Sequence, residues 1–107
     1  MDKKMYDLIN ELTECQAVCN YCFNACLEES DVQMMVRCIK LDKDCSEICG
    51  PAISLAASES EFTNDILELL HHGLRSMCPG VRKTFYDHCK ECAQACRKCA
   101  AACKSYM

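Results

Sequence analysis

Three runs of cysteine constrain this chain more than any other feature. Residues 15–26 read CQAVCNYCFNAC and residues 89–103 read CKECAQACRKCAAAC, with Cys38, Cys45 and Cys49 between them. Gaps of three and four return a side chain to one face of an α-helix, because each residue advances about 100°. Cys15, Cys19, Cys22 and Cys26 therefore share an arc of roughly 60°, and Cys89, Cys92, Cys96, Cys99 and Cys103 one of roughly 80°. Cys38, Cys45 and Cys49 form a third stripe, which also carries Asp42. Stripes of this rhythm occupy the positions that leucine normally takes in a helical core.

The remaining residues favour the same class. Three Gly, two Pro and no Trp among 107 residues favour helices over a turn-rich β fold. The length suits one domain, residues 1–107. Four helices are expected, at about 2–28, 31–57, 62–78 and 84–105. Ser30 and Gln33 have the spacing of a capping box at the second start. Gly50-Pro51 should kink the second helix rather than end it, since Ala52, Ile53 and Ala56 fall back on the cysteine face; termination at Gly50 is the alternative. The polar run at 58–61 is read as a turn with a cap, and Pro79-Gly80 as the end of the third helix. Short connections favour antiparallel neighbours, so the expected fold is all-α: an antiparallel up-down four-helix bundle with a cysteine-lined core.

Twelve of the 13 cysteines fall on the three inward stripes. Buried cysteine can act as a small hydrophobe, but twelve of them would leave a core underfilled, and cavities are destabilising. A disulfide scaffold suits a secreted chain. Here the start, Met1-Asp2-Lys3-Lys4, does not read as a secretory signal, the cysteine count is odd, and the thiols sit in helical pattern. A cytoplasmic chain with reduced thiols that bind metal is the expectation. The formal charge of −4 and the scattered basic residues argue against nucleic acid as a partner. No apolar run is long enough to span a membrane.

The donor set narrows the metal. Structural zinc usually takes loop-borne cysteine pairs, often with histidine, whereas these pairs lie mid-helix. Iron–sulfur sites typically sit in compact loops. Di-iron bundles need a Glu-x-x-His pattern, which is missing. Soft thiolates select Cu(I), and a lattice of thiols inside a dry bundle can hold many Cu(I) ions. The metal ligands expected are Cys15, Cys19, Cys22, Cys26, Cys38, Cys45, Cys49, Cys89, Cys92, Cys96, Cys99 and Cys103. Bare thiolates in such a core would be prohibitive, so the empty form should hold neutral thiols, and metal should displace their protons.

The stretches CNYCFNACLEESDVQMMVRCIKLDKDCSEICG and DHCKECAQACRKCAAAC resemble the bacterial four-helix-bundle copper storage proteins, the cytosolic branch. That resemblance implies a core whose thiolates store or sequester multiple Cu(I) ions, in a protein that forms oligomers. The third helix departs from the family pattern. Its inward stripe reads Leu67, Leu70, Leu74 and Met77, with Cys78 as the only thiol. This implies a reduced capacity and ligands drawn from the other three helices.

Antiparallel threading gathers Met34, Met35, Met77, Cys78, Phe85 and His88 at one end, a candidate entry port for copper, while Leu8, Leu12, Ile53, Ala56 and Leu67 plug the other. His71 and His72 are expected on the surface, and Asp42 is expected to hydrogen-bond a thiol. Phe62, Ile66 and Leu69 widen the third helix's apolar arc, which points to a homo-oligomer packed through that helix. No catalytic triad, phosphate loop or carboxylate pair appears, so the chain reads as a binding protein without enzymatic activity. A copper chaperone or a small-molecule thiol would serve as donor and acceptor. The competing readings are a zinc- or cadmium-binding detoxifier of the metallothionein kind, a protein with an Fe–S or multinuclear metal centre, and a reactive-thiol redox buffer.

Overall fold

The computed structural model describes residues 1–76 and 86–107. Helix α1 spans Lys3–Leu27, α2 Val36–Ala57, α3 Thr63–Ser76 and α4 Asp87–Tyr106, and the described residues contain no strand. Asp2 starts α1, its carboxylate accepting the Met5 backbone N–H at 2.9 Å, which satisfies one of the donors a helix start leaves open.

The second helix departs from the expected start. A 3-10 turn, Val32–Met35, precedes α2, and no side chain caps it. The Ser30–Gln33 capping box is therefore not the device used here. Asp31, which occupies the cap position, has its carboxylate committed elsewhere: it accepts the Tyr86 hydroxyl at 2.8 Å. The last helix also begins later than expected, at Asp87, because Tyr86 is extended (φ −133°, ψ 156°).

Pro51 sits inside α2 without ending it, and Ala52 and Ala56 beyond it are buried. Gly50 permits a close approach at this point: a Cβ there would lie 3.2 Å from Gln16 Nε2, and that amide reaches across from α1 to the Ser46 carbonyl. At its far end α2 closes with the Ser60 N–H on the Leu55 carbonyl and the Glu59 N–H on the Ala56 carbonyl. These bonds make a Schellman closure, with Glu59 in the left-handed region at φ 55°. The turn that follows is capped, as the polar run suggests, by Ser60 Oγ accepting the Phe62 N–H.

Helix α1 packs on α2 and α4, and α3 packs on the same two. This is an up-down four-helix bundle with α1 and α3 on one diagonal, in a particle 44 × 19 × 18 Å. Three walls of the core present thiols. The fourth, from α3, presents Leu67, Leu70 and Leu74, all buried. Leu8, Leu12, Ala56 and Leu67 are buried where the plug was expected, with Ile53 half-buried against them.

Candidate metal centre

Eleven of the expected ligands are buried: Cys15, Cys19, Cys22, Cys26, Cys45, Cys49, Cys89, Cys92, Cys96, Cys99 and Cys103. Cys38, near the start of α2, is half-buried and packs against this core instead of lying within it. Met77, Cys78 and Phe85 lie outside the described residues.

The helical spacing places sulfurs in contact both along one helix and between helices. Cys45 of α2 lies 3.6 Å from Cys15 of α1, and Cys15 lies 3.9 Å from Cys19. Cys19 then reaches Cys92 and Cys96 of α4, each at 3.8 Å. The sulfurs of Cys15, Cys19, Cys45 and Cys96 all lie within 4.8 Å of one another. Asp42 enters the same region, fully buried, and accepts the Cys92 thiol at 3.4 Å, as expected for a carboxylate on a thiol stripe.

A second group lies toward the α1–α2 turn. Cys22 and Cys26 stand 3.7 Å apart, and His88 Nδ1 lies 3.5 Å from Cys22, 3.9 Å from Cys26 and 3.6 Å from Cys89. The other ring nitrogen, Nε2, donates to Glu29 Oε2 at 2.9 Å. In the neutral ring that bond puts the proton on Nε2 and leaves the Nδ1 lone pair facing the three sulfurs. Tyr86 stacks on the imidazole, with centroids 5.3 Å apart and planes at 8°. Its hydroxyl bond to Asp31 pushes the phenol up to about 12.

Of the expected port residues, His88 therefore meets the thiols. Met35 is fully buried in the core, and Met34 is 67% exposed. Glu29, Asp31 and Tyr86 were not singled out by the sequence reading. The one hint was the acidic turn EESD beside the expected port. His71 is not the surface residue expected: it is half-buried and its Nδ1–H donates to the Ala100 carbonyl at 3.1 Å. His72 is exposed.

Ionisation of Cys22 and Cys26 is opposed by their surroundings. Hydrogen bonding with Cys92 and then burial push Cys22 up, and burial followed by the neighbouring Cys22 and Cys89 pushes Cys26 up. In the ladder, contacts with Cys19, Cys45, Cys49 and Cys96 push Cys15 up, while contacts led by Cys15 hold Cys96 down.

Fold and donors define a metal-binding helical bundle of the thiolate type. A family model described as copper storage protein matches residues 1–107, and the chain belongs to that family. It is similar to the cysteine-rich protein YhjQ of Bacillus subtilis, 36% identical over 87 residues, which span 81% of each chain. Its structure is similar to that of the Cu(I)-bound copper storage protein BsCsp3, at 34% identity and a TM-score of 0.89, over 96% of this chain and 97% of that one. It is also similar to a cytosolic copper storage protein from Streptomyces lividans carrying five coppers, at 27% identity and a TM-score of 0.91, over 97% and 92% of the two chains.

Proposed function

We propose that this protein stores multiple Cu(I) ions in the cytoplasm, on the core thiolates of α1, α2 and α4, as one domain without enzymatic activity. The observation that carries this reading is the sulfur ladder Cys45–Cys15–Cys19–Cys96, whose steps are 3.6, 3.9 and 3.8 Å. Bonds of about 2.3 Å, the length zinc makes to thiolate, let one ion touch two neighbouring sulfurs at that spacing, so consecutive ions can share a bridging thiolate. Soft donors in a dry cavity suit a soft monovalent ion. At one ion per thiol, with each thiolate bridging two ions, one thiol proton is lost for each Cu(I) taken up, so a full core carries no added net charge in a medium that tolerates little.

The ligands assigned are Cys15, Cys19, Cys22, Cys26, Cys38, Cys45, Cys49, Cys89, Cys92, Cys96, Cys99 and Cys103. Copper enters at the α1–α2 turn end, where His88 stands over Cys22, Cys26 and Cys89. A copper chaperone or a small-molecule thiol delivers and removes it by ligand exchange. No described helix is long and apolar enough to cross a membrane. Phe62 and Leu69, 57% and 58% exposed, support association of copies through α3.

An anaerobic Cu(I) titration of the reduced protein against a chromophoric Cu(I) chelator tests the reading. Storage predicts that the protein outcompetes the chelator for roughly as many ions as it has core thiols. Tight binding of only one to a few ions would refute it.

A further inference from the structure

The group at the α1–α2 turn end differs chemically from the ladder behind it. It offers three sulfurs and one nitrogen, from Cys22, Cys26, Cys89 and His88, all within 4.8 Å of one another. Zinc bonds of about 2.3 Å to sulfur and about 2.0–2.1 Å to nitrogen make a tetrahedron with edges of about 3.8 Å (S···S) and about 3.6 Å (S···N). The corresponding distances are 3.7 Å for Cys22–Cys26, and 3.5, 3.9 and 3.6 Å from His88 Nδ1 to the sulfurs of Cys22, Cys26 and Cys89. Four of the six edges have these lengths before any ion enters, and the two from Cys89 to the other sulfurs stay within 4.8 Å.

We infer that in the copper-free protein Cys22, Cys26, Cys89 and His88 hold one tetrahedral divalent ion, zinc, at the mouth of the thiol core, and that Cu(I) displaces it as the store fills. Three further features favour zinc here over the ladder. Glu29 accepts the other ring N–H of His88 at 2.9 Å, the carboxylate–histidine support that orients zinc-bound imidazoles. The side chains of His88 and Glu29 keep 13% and 27% of their exposure, so a hydrated divalent ion has a way in. Charge also discriminates. Zn²⁺ with three thiolates and a neutral imidazole carries one net negative charge. With four thiolates, as at Cys15, Cys19, Cys45 and Cys96, it would carry two, among ligands that are all buried. On binding, three S–H bonds are replaced by Zn–S bonds, three protons leave for solvent, and nothing is oxidised or reduced.

The zinc site is independent of copper storage and is tested without copper. Reduced, metal-free protein is titrated anaerobically with Co²⁺, whose ligand-field bands report tetrahedral geometry, and then with Zn²⁺. The expected result is a tetrahedral cobalt spectrum with one equivalent that His88→Ala loses and that stoichiometric Zn²⁺ bleaches. Glu29→Gln, which keeps the shape but removes the charge behind the imidazole, should weaken that equivalent about 10–100-fold. Circular dichroism of both variants separates loss of ligand from loss of fold. Octahedral cobalt, or a tetrahedral equivalent that survives unchanged in a folded His88→Ala, would overturn the inference. A failed copper titration would leave the zinc site standing.

Discussion

Helix α3 and helix α4 line the same core with opposite materials. From α4, Cys89, Cys92, Cys96, Cys99 and Cys103 are buried; from α3, Leu67, Leu70 and Leu74 are. Both helices obey the same rhythm of three and four, so the rhythm encodes the bundle and the residue type encodes what the wall does. A leucine wall fills volume and removes apolar area from water. A thiol wall fills less and leaves positions a metal can occupy. The empty bundle should therefore draw its stability disproportionately from α3 and the leucine plug, and its capacity entirely from the other three helices.

The largest effect that would break this division lies in α3. Leu70→Ala should cost about 2–5 kcal/mol of unfolding free energy in the empty protein, read by urea denaturation, while the number of Cu(I) ions bound stays that of the parent. A drop in copper number would show that α3 shapes the metal sites. Next comes Cys96→Ala. Losing one sulfur from the wall should cost about 1 kcal/mol in the empty form, yet an anaerobic titration should find fewer ions, because Cys96 is one of the ladder's contacts to Cys19.

A third test uses pH. Cys22 and Cys26 are held above their ordinary value in the fold. Groups raised on folding contribute stability that is fully present below the unfolded thiol value, about 8.5, and that fades as pH rises above it. The empty bundle should thus melt at a steady temperature from pH 6 to 8 and progressively lower above about pH 9. The copper-loaded bundle, with no thiol protons left at those positions, should show no such decline. The smallest effect is Gly73→Ala on α3. A Cβ there would meet nothing within 4 Å, so the substitution should gain about 0.5–1 kcal/mol through helix propensity alone, seen as a small rise in melting temperature without change in copper number.

What could be read from the residues divides along a physical line. Periodicity located the thiol stripes, carried α2 through Pro51 on the evidence of Ala52 and Ala56, and set Asp42 beside a thiol. Each of those follows from the geometry of a single helix. Contacts between distant segments were not visible. Glu29 lies 59 residues from His88, and nothing local to either announces the bond that aims the imidazole at three sulfurs. Asp31 was read near a helix start, but Tyr86, 55 residues away, claims its carboxylate. His71 looked superficial on its own helix and reaches a carbonyl of α4 instead. Met34 and Met35, neighbours in one 3-10 turn, part company because that turn sends one to solvent and the other to the core.

The neutrality of the empty core has a consequence for how the molecule is seen from outside. Where each monovalent ion that arrives replaces one proton, mass and electron density accumulate along the axis while the formal charge stays at −4. The surface potential of a full bundle then matches that of an empty one, and an ion-exchange resin or a partner guided by long-range fields meets the same object in both states. Such a container has no electrostatic gauge of its contents. A signal that the core is full must come from the α1–α2 turn and from His88 and Glu29 beneath it, whose side chains keep some exposure.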